Sequence, residues 1–233
     1  MNIPTVSPTP GDADTASVRR ERRLPFVWIA GAAVLIVVAA ALPFLFGAGE
    51  EPSAPAESTR DMAGNAVVLE DPIQTPQSLA LMNVVEDLGE RFAVPSVGLD
   101  VPLGGLDMVD GEITPPGFTS AYTVRNLGVP DDPSAGTTYV VMHSIPAPGV
   151  APGNYLIDVA DGRAAVPAGA QVLVGEQVYA VDSSYSVDKG ELSAQSALWA
   201  DRPGRLVIIT CQQLPSGARS VQNTVIEAHL VAS

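Results

Sequence analysis

The 233-residue sequence predicts an all-β domain, a closed barrel or a sandwich, standing behind one long apolar helix. Short runs rich in Val, Ile, Thr and Tyr follow one another from Arg91 to the end, divided by Gly, Pro, Asp and Ser. No long helical pattern alternates with them, which disfavours a parallel α/β sheet. Near the N-terminus, 24–46 is an apolar stretch without a single charge.

Taken in order, residues 1–18 mix Pro, Thr, Ser, Gly and Asp without apolar periodicity, a composition expected to be disordered. The cluster RRERR (19–23) completes a basic segment, 1–23, expected to stay in the cytoplasm. At about 1.5 Å rise per residue, 24–46 spans the roughly 30 Å hydrocarbon core, longer than the apolar region of a cleaved signal peptide. The expectation is a single-pass membrane anchor with the remainder extracellular. Residues 47–75 begin as a Gly/Pro/Ser/Ala/acidic linker. In 76–89, Leu79, Met82, Val85 and Leu88 at near-helical spacing, with Pro76 before and Gly89 after, predict an amphipathic helix. The barrel or sandwich then occupies 91–233, and VLVGEQVYAV (172–181), with its Gly-Glu centre, reads as a hairpin.

Composition narrows the functional classes. The net charge is −14, and the basic residues are eleven arginines, four of them in 19–23, and Lys189. The basic footprint that nucleic-acid binding requires is absent. Two histidines and one cysteine are too few soft ligands for a zinc cluster, and no GxGxxG, P-loop or CxxC occurs. A lone cysteine, Cys211, forms no intramolecular disulfide and is either a working thiol or a buried small hydrophobe.

The chemistry-bearing residues sit where strands end. Cys211 closes the run Leu206-Val207-Ile208-Ile209-Thr210, and His143 closes Val140-Val141-Met142 just ahead of a breaking Ser-Ile-Pro-Ala-Pro-Gly. A rigid strand fixes such a group while the following loop exposes it. His229 alternates with Ile226, Ala228 and Leu230 onto the face of Glu227, which is expected to meet solvent. Arg219 follows Cys211 across a turn-forming stretch. With the hairpin centred on Ser216, position 221 faces 211 and Arg219 lies diagonally from the thiol, on the same face. Arg125, before the histidine strand, is the second-choice cation.

The order His…Thr-Cys…Arg, each at the end of a β-run and behind a membrane anchor, resembles the sortase family over about residues 91–233. VPSVGLDVPLGGLDMVDGEITPP resembles the opening strands of the actinobacterial sortases of class E or F. TTYVVMHS is similar to their strand ending in GH, with Met142 where Gly is common, and RPGRLVIITC to their LxLxTC signature. VQNTVIEAHLV is similar to their last strand, by which the family arginine falls near Val221, just after Arg219.

The resemblance implies a closed eight-stranded barrel at 76–233, with short helices, and a cysteine transpeptidase. It implies cleavage of an LPxTG-like sorting signal through a Cys211 thioester, and transfer to an amine of the cell wall or a pilin. His143 moves the protons, and Arg219 or backbone N–H groups hold the oxyanion. Expected partners are surface proteins with a C-terminal sorting signal and the amine acceptor. No cofactor is implied; some sortases bind calcium, but no ordered ligand spacing is present here. The alternatives are an inactive sortase-like binding module and an L,D-transpeptidase. The latter is disfavoured because its His and Cys lie close in sequence, whereas His143 and Cys211 are far apart in this chain. Asp71-Pro72-Ile73 resembles the lid motif of pilin-polymerising sortases, with Ile for the aromatic residue.

Overall fold

The computed structural model describes residues 60–67 and 76–231. The expected basic segment, the anchor at 24–46 and Asp71-Pro72-Ile73 lie outside them. Among the described residues no helix is long and apolar enough to cross a membrane.

Among the described residues ten strands follow one another: β1 (Val85–Val94), β2 (Leu99–Leu106), β3 (Ala121–Val124), β4 (Thr137–Val141), β5 (Ile157–Asp158), β6 (Arg163–Ala164), β7 (Gln171–Val174), β8 (Gln177–Asp188), β9 (Arg205–Gln212) and β10 (Gln222–Leu230). Eight close a barrel in the order β1-β2-β3-β4-β9-β10-β8-β7, sealed where Phe92 pairs with Val174, while β5 and β6 form a small separate ribbon. The all-β expectation holds, and of its two forms the barrel is the one observed. Closure leaves no open edge of unpaired backbone groups. The expected hairpin is β7–β8, turning at Gly175 with φ 58°. Two neighbours in the barrel, β2/β3 and β4/β9, run parallel; the others are antiparallel.

Alternation along the strands divides the apolar residues in two. Phe92, Leu103, Val140, Met142, Tyr179, Leu206, Ile208 and Ile226 fill one buried cluster. Tyr139, Val141, Val207, Ile209 and Val225 point the other way, into a second cluster with Leu198 of the short helix α2 (Ser196–Trp199), α1 being Pro76–Leu81. Each such buried side chain contributes about 1.5–3 kcal/mol. Arg205, 6% exposed, pins α2 over this second cluster. Its guanidinium donates to the carbonyls of Ala197, Leu198 and Ala200 and pairs with Glu227 at 2.8 Å.

Two boundaries differ from the sequence reading. The helix expected over 76–89 stops at Leu81, and Asn83 turns the chain with φ 46°. Residues from Val85 onward are strand, because β2 needs a partner along that side: Val85 pairs with Gly105 and Arg91 with Pro102. The helical spacing has no matching apolar surface, since Leu81 and Leu88 remain 64% and 40% exposed. The second difference falls in the expected linker 47–75, part of which is folded onto the barrel. Asp61 is 3% exposed and accepts hydrogen bonds from the N–H groups of Ala63, Asn65 and Val150 and from the Asn65 amide. It also bridges to Phe118 in parallel. Those hydrogen bonds hold its carboxyl below the usual range, the Asn65 side chain first among them.

Candidate active site

The parallel pairing of β4 with β9 runs from Thr137↔Arg205 to Val141↔Ile209 at a constant offset. The step along the chain from His143 to Cys211 equals the step from Thr137 to Arg205. Continued just past its last pair, the register therefore brings His143 and Cys211 abreast, on the face that Val141 and Ile209 share. Both line one open cleft of about 1070 Å³, and both are partly exposed. A large sequence separation thus becomes adjacency through a parallel ladder.

The histidine is held from the loop between β2 and β3. Phe118 stacks on the imidazole with ring centroids 4.6 Å apart at 26°, and Nε2 lies 2.8 Å from the carbonyl oxygen of Pro115. A carbonyl only accepts, so Nε2 carries the hydrogen and Nδ1 of the neutral ring is left as the proton acceptor. Burial holds the imidazole below its ordinary 6.5; the Pro115 contact acts against this, and the charge of Lys189 adds to it. At neutral pH the ring is a base.

The cysteine is fixed through its backbone. Ser144 donates its hydroxyl to the Cys211 carbonyl at 2.5 Å, and the Gln213 amide donates to the Ser144 carbonyl at 2.9 Å. These bonds tie the end of β9 to the residue that follows His143. Thr210 faces the opposite way from Cys211, and its buried hydroxyl has no hydrogen-bond partner among the described residues. Beneath it lies Gly153, in the 3₁₀ turn Pro152–Leu156, whose N–H donates to the His143 carbonyl at 2.7 Å.

Arg219 lines the same cleft but belongs to neither strand. Cys211 pairs with Asn223, not with residue 221, so the hairpin is centred on Gly217 rather than Ser216. The ladder ends at Gln212↔Gln222, and Arg219 sits in the exposed loop between them, off the diagonal that the sequence reading gave it. Val221, near which the sequence resemblance put an arginine, is 60% exposed. Arg125 is remote from this cleft: it pairs with Asp107 at 3.4 Å and lines a different cavity, with Glu90, Asp131 and Glu176. His229 stays on the solvent face, 2.6 Å from Asp182. Sequence reasoning missed Phe118, Lys189, Gln213 and Asn223, all of which line the cleft. Only Lys189, the sole lysine, carries a signal in the sequence. Among the described residues no group of three or more His, Cys, Asp or Glu is placed to hold a metal ion.

No protein-family model matches the chain, and no curated protein matches it. Solved structures that it is similar to include sortases. A pilus-related sortase C of Group B Streptococcus is 14% identical, covering 70% of this chain and 77% of that one with a TM-score of 0.47. Sortase A from Corynebacterium diphtheriae is 14% identical over 70% and 72%, with a TM-score of 0.45. Sortase C-1 from Actinomyces oris is 14% identical over 70% and 83%, with a TM-score of 0.45.

Proposed function

We propose that this chain is a membrane-anchored cysteine transpeptidase of the sortase type. It cuts an LPxTG-like sorting signal through a Cys211 thioester and passes the acyl group to an amine of the cell wall or of a pilin. The observation that carries the reading is the juxtaposition of His143 and Cys211 at the ends of adjacent parallel strands, on one face and in one cleft.

The chemistry follows from those residues. Nδ1 of neutral His143 takes the thiol proton as sulfur attacks the scissile carbonyl. The tetrahedral intermediate collapses to the thioester, and the imidazolium returns its proton to the departing amine. In the second half an incoming amine gives its proton to His143, attacks the thioester and expels the thiolate. Lys189 and Arg219 line the same cleft and place positive charge around the entering substrate.

The anchor at 24–46 and the extracellular placement of the domain belong to this proposal, supported by the charge-free run and the arginines before it. An inactive binding module is the second reading, supported by the position of Arg219 outside β10. Thioester capture decides between them. The full chain in detergent, incubated with an LPxTG-type peptide, should gain the mass of the cleaved acyl fragment. Cys211→Ala should capture none while keeping its fold; capture by that variant, or none by the wild type, defeats the proposal.

A further inference from the structure

Asn223 faces Cys211 directly across the antiparallel β9/β10 ladder. Residues so paired have Cβ atoms about 4.5–5.5 Å apart on the same side of the sheet. The row continues across neighbouring strands, since Asn223 pairs in turn with Val187 of β8. His143, Cys211 and Asn223 thus stand side by side on three adjacent strands or their ends, and all three line the cleft.

The surroundings of Asn223 are unusual for an amide. Val225, next along the same face, is fully buried in the apolar cluster beneath the cleft, and Asn223 itself is only 9% exposed. Neither atom of its amide is fully enclosed without a partner, so the small exposed part of Asn223 includes the amide. The neighbouring polar side chains have partners: the Ser220 hydroxyl donates to the Gln222 carbonyl, and the Thr224 hydroxyl to Gln212. The Asn223 amide makes no side-chain hydrogen bond among the described residues. Its two N–H donors are therefore available to a group entering the cleft beside the thiol.

We infer that Asn223 is the oxyanion donor of this site, a catalytic residue whose side-chain N–H binds the carbonyl oxygen of the acyl group attacked by Cys211. The inference rests on the proposed role of Cys211 as acyl acceptor. As the sulfur–carbon bond forms, the carbonyl π pair moves to oxygen, and that oxygen accepts from Asn223 Nδ2. When the carbonyl re-forms, the bond to the leaving group breaks and its electron pair departs with that group. An amide donor suits this position because it cannot lose its proton to the adjacent base. Arg219, in the exposed loop, is left to act on the cleft's potential and on parts of the substrate away from the reacting carbon.

Two reagents separate this role from general effects on the thiol. p-Nitrophenyl acetate acylates Cys211 through a tetrahedral oxyanion and needs no recognised peptide, whereas iodoacetamide alkylates it by displacement at carbon, without an oxyanion. On the full chain in detergent, Asn223→Ala and the isosteric Asn223→Asp should slow the p-nitrophenolate burst by about 10²–10³-fold. Alkylation should stay within about twofold of wild type. If Asn223→Ala fails to fold by circular dichroism, Asn223→Asp, which conserves shape and offers no donor when ionised, carries the comparison.

Acylation within about threefold of wild type in the folded variants overturns the assignment. So does an equal fall in acylation and alkylation, which marks a role in positioning the thiol. A wild type that gives no burst overturns it as well. A wild type that gives the burst but turns over no sorting peptide counts against the proposed substrate, while the Asn223 comparison still stands.

Discussion

Gly153 is where a single methyl group tests the geometry of the site. A Cβ built there would overlap Thr210 Oγ1 and stand 2.7 Å from the His143 carbonyl oxygen, whereas ordinary contact begins near 3.4 Å. The Thr210 overlap can be relieved by side-chain rotation, because that hydroxyl has no partner to lose. The carbonyl cannot rotate away: it is main chain, and it accepts the Gly153 N–H at 2.7 Å. For Gly153→Ala it must retreat by several tenths of an ångström, taking His143 with it. Overpacking of this kind costs about 1–3 kcal/mol, and weakening the hydrogen bond about 1 more. The expected fall in Tm for a domain of this size is about 4–16 °C. A misplacement of about 1 Å in a catalytic group costs about 10²-fold, so kcat/KM in the peptide transfer assay should drop about 10- to 100-fold. Adding Thr210→Ala removes one contact but not the other; it should recover part of the Tm and little of the activity. Wild-type Tm and activity in Gly153→Ala would refute the reasoning, as would full restoration of activity in the double variant.

Arg219→Ala should lower kcat/KM by about tenfold or more with Tm nearly unchanged, and Arg219→Lys should restore most of it if the residue supplies potential rather than a planar donor pair. Arg125→Ala should leave peptide transfer near wild type, since Arg125 lines another cavity; loss of transfer there with Arg219→Ala unaffected would move the functional arginine. Burial holds His143 below its unfolded value, so as pH falls below about 6.5 the unfolded chain takes up a proton that the folded chain resists. Stability is therefore retained above that pH and lost below it, and His143→Gln should flatten the decline in Tm between about pH 7 and 5; an unchanged slope counts against the buried neutral ring. Asp61, held low, adds a separate loss below the usual carboxylate range, which Asp61→Asn should abolish. Protease added to intact, wall-stripped cells should remove the domain; protection, or release of the domain with a new N-terminus after Phe46, would refute the anchor.

The sequence made legible what depends on local pattern. Strand-ending positions of Cys211 and His143, the Gly175-Glu176 turn and the solvent face of His229 all follow from alternation and turn chemistry. Pairing partners did not follow, because they are set by elements distant in the chain. Whether 211 faces 221 or 223 depends on where the ladder stops, and it stops at Gln212 because Gln213 is drawn to Ser144 and Pro215 lacks an N–H. Asn223 carried no signal, since one amide at the start of a strand looks like any other polar residue until the register sets it opposite the thiol. The short helix failed for a related reason: the side of β2 demanded a strand where local spacing favoured another turn of helix.

The clasp at Asp61 sets how far the site can stand from a bilayer. Were 47–75 all tether, it would reach about 100 Å at full extension. With Asp61 fastened to Val150 and Phe118, the chain is already part of the domain by residue 60. The span between the proposed anchor and that point is then 47–59, with a contour of at most about 45 Å. That contour bounds the distance from the proposed anchor to residue 60, and Asp61→Ala, by releasing the clasp, would let a longer stretch of chain act as tether.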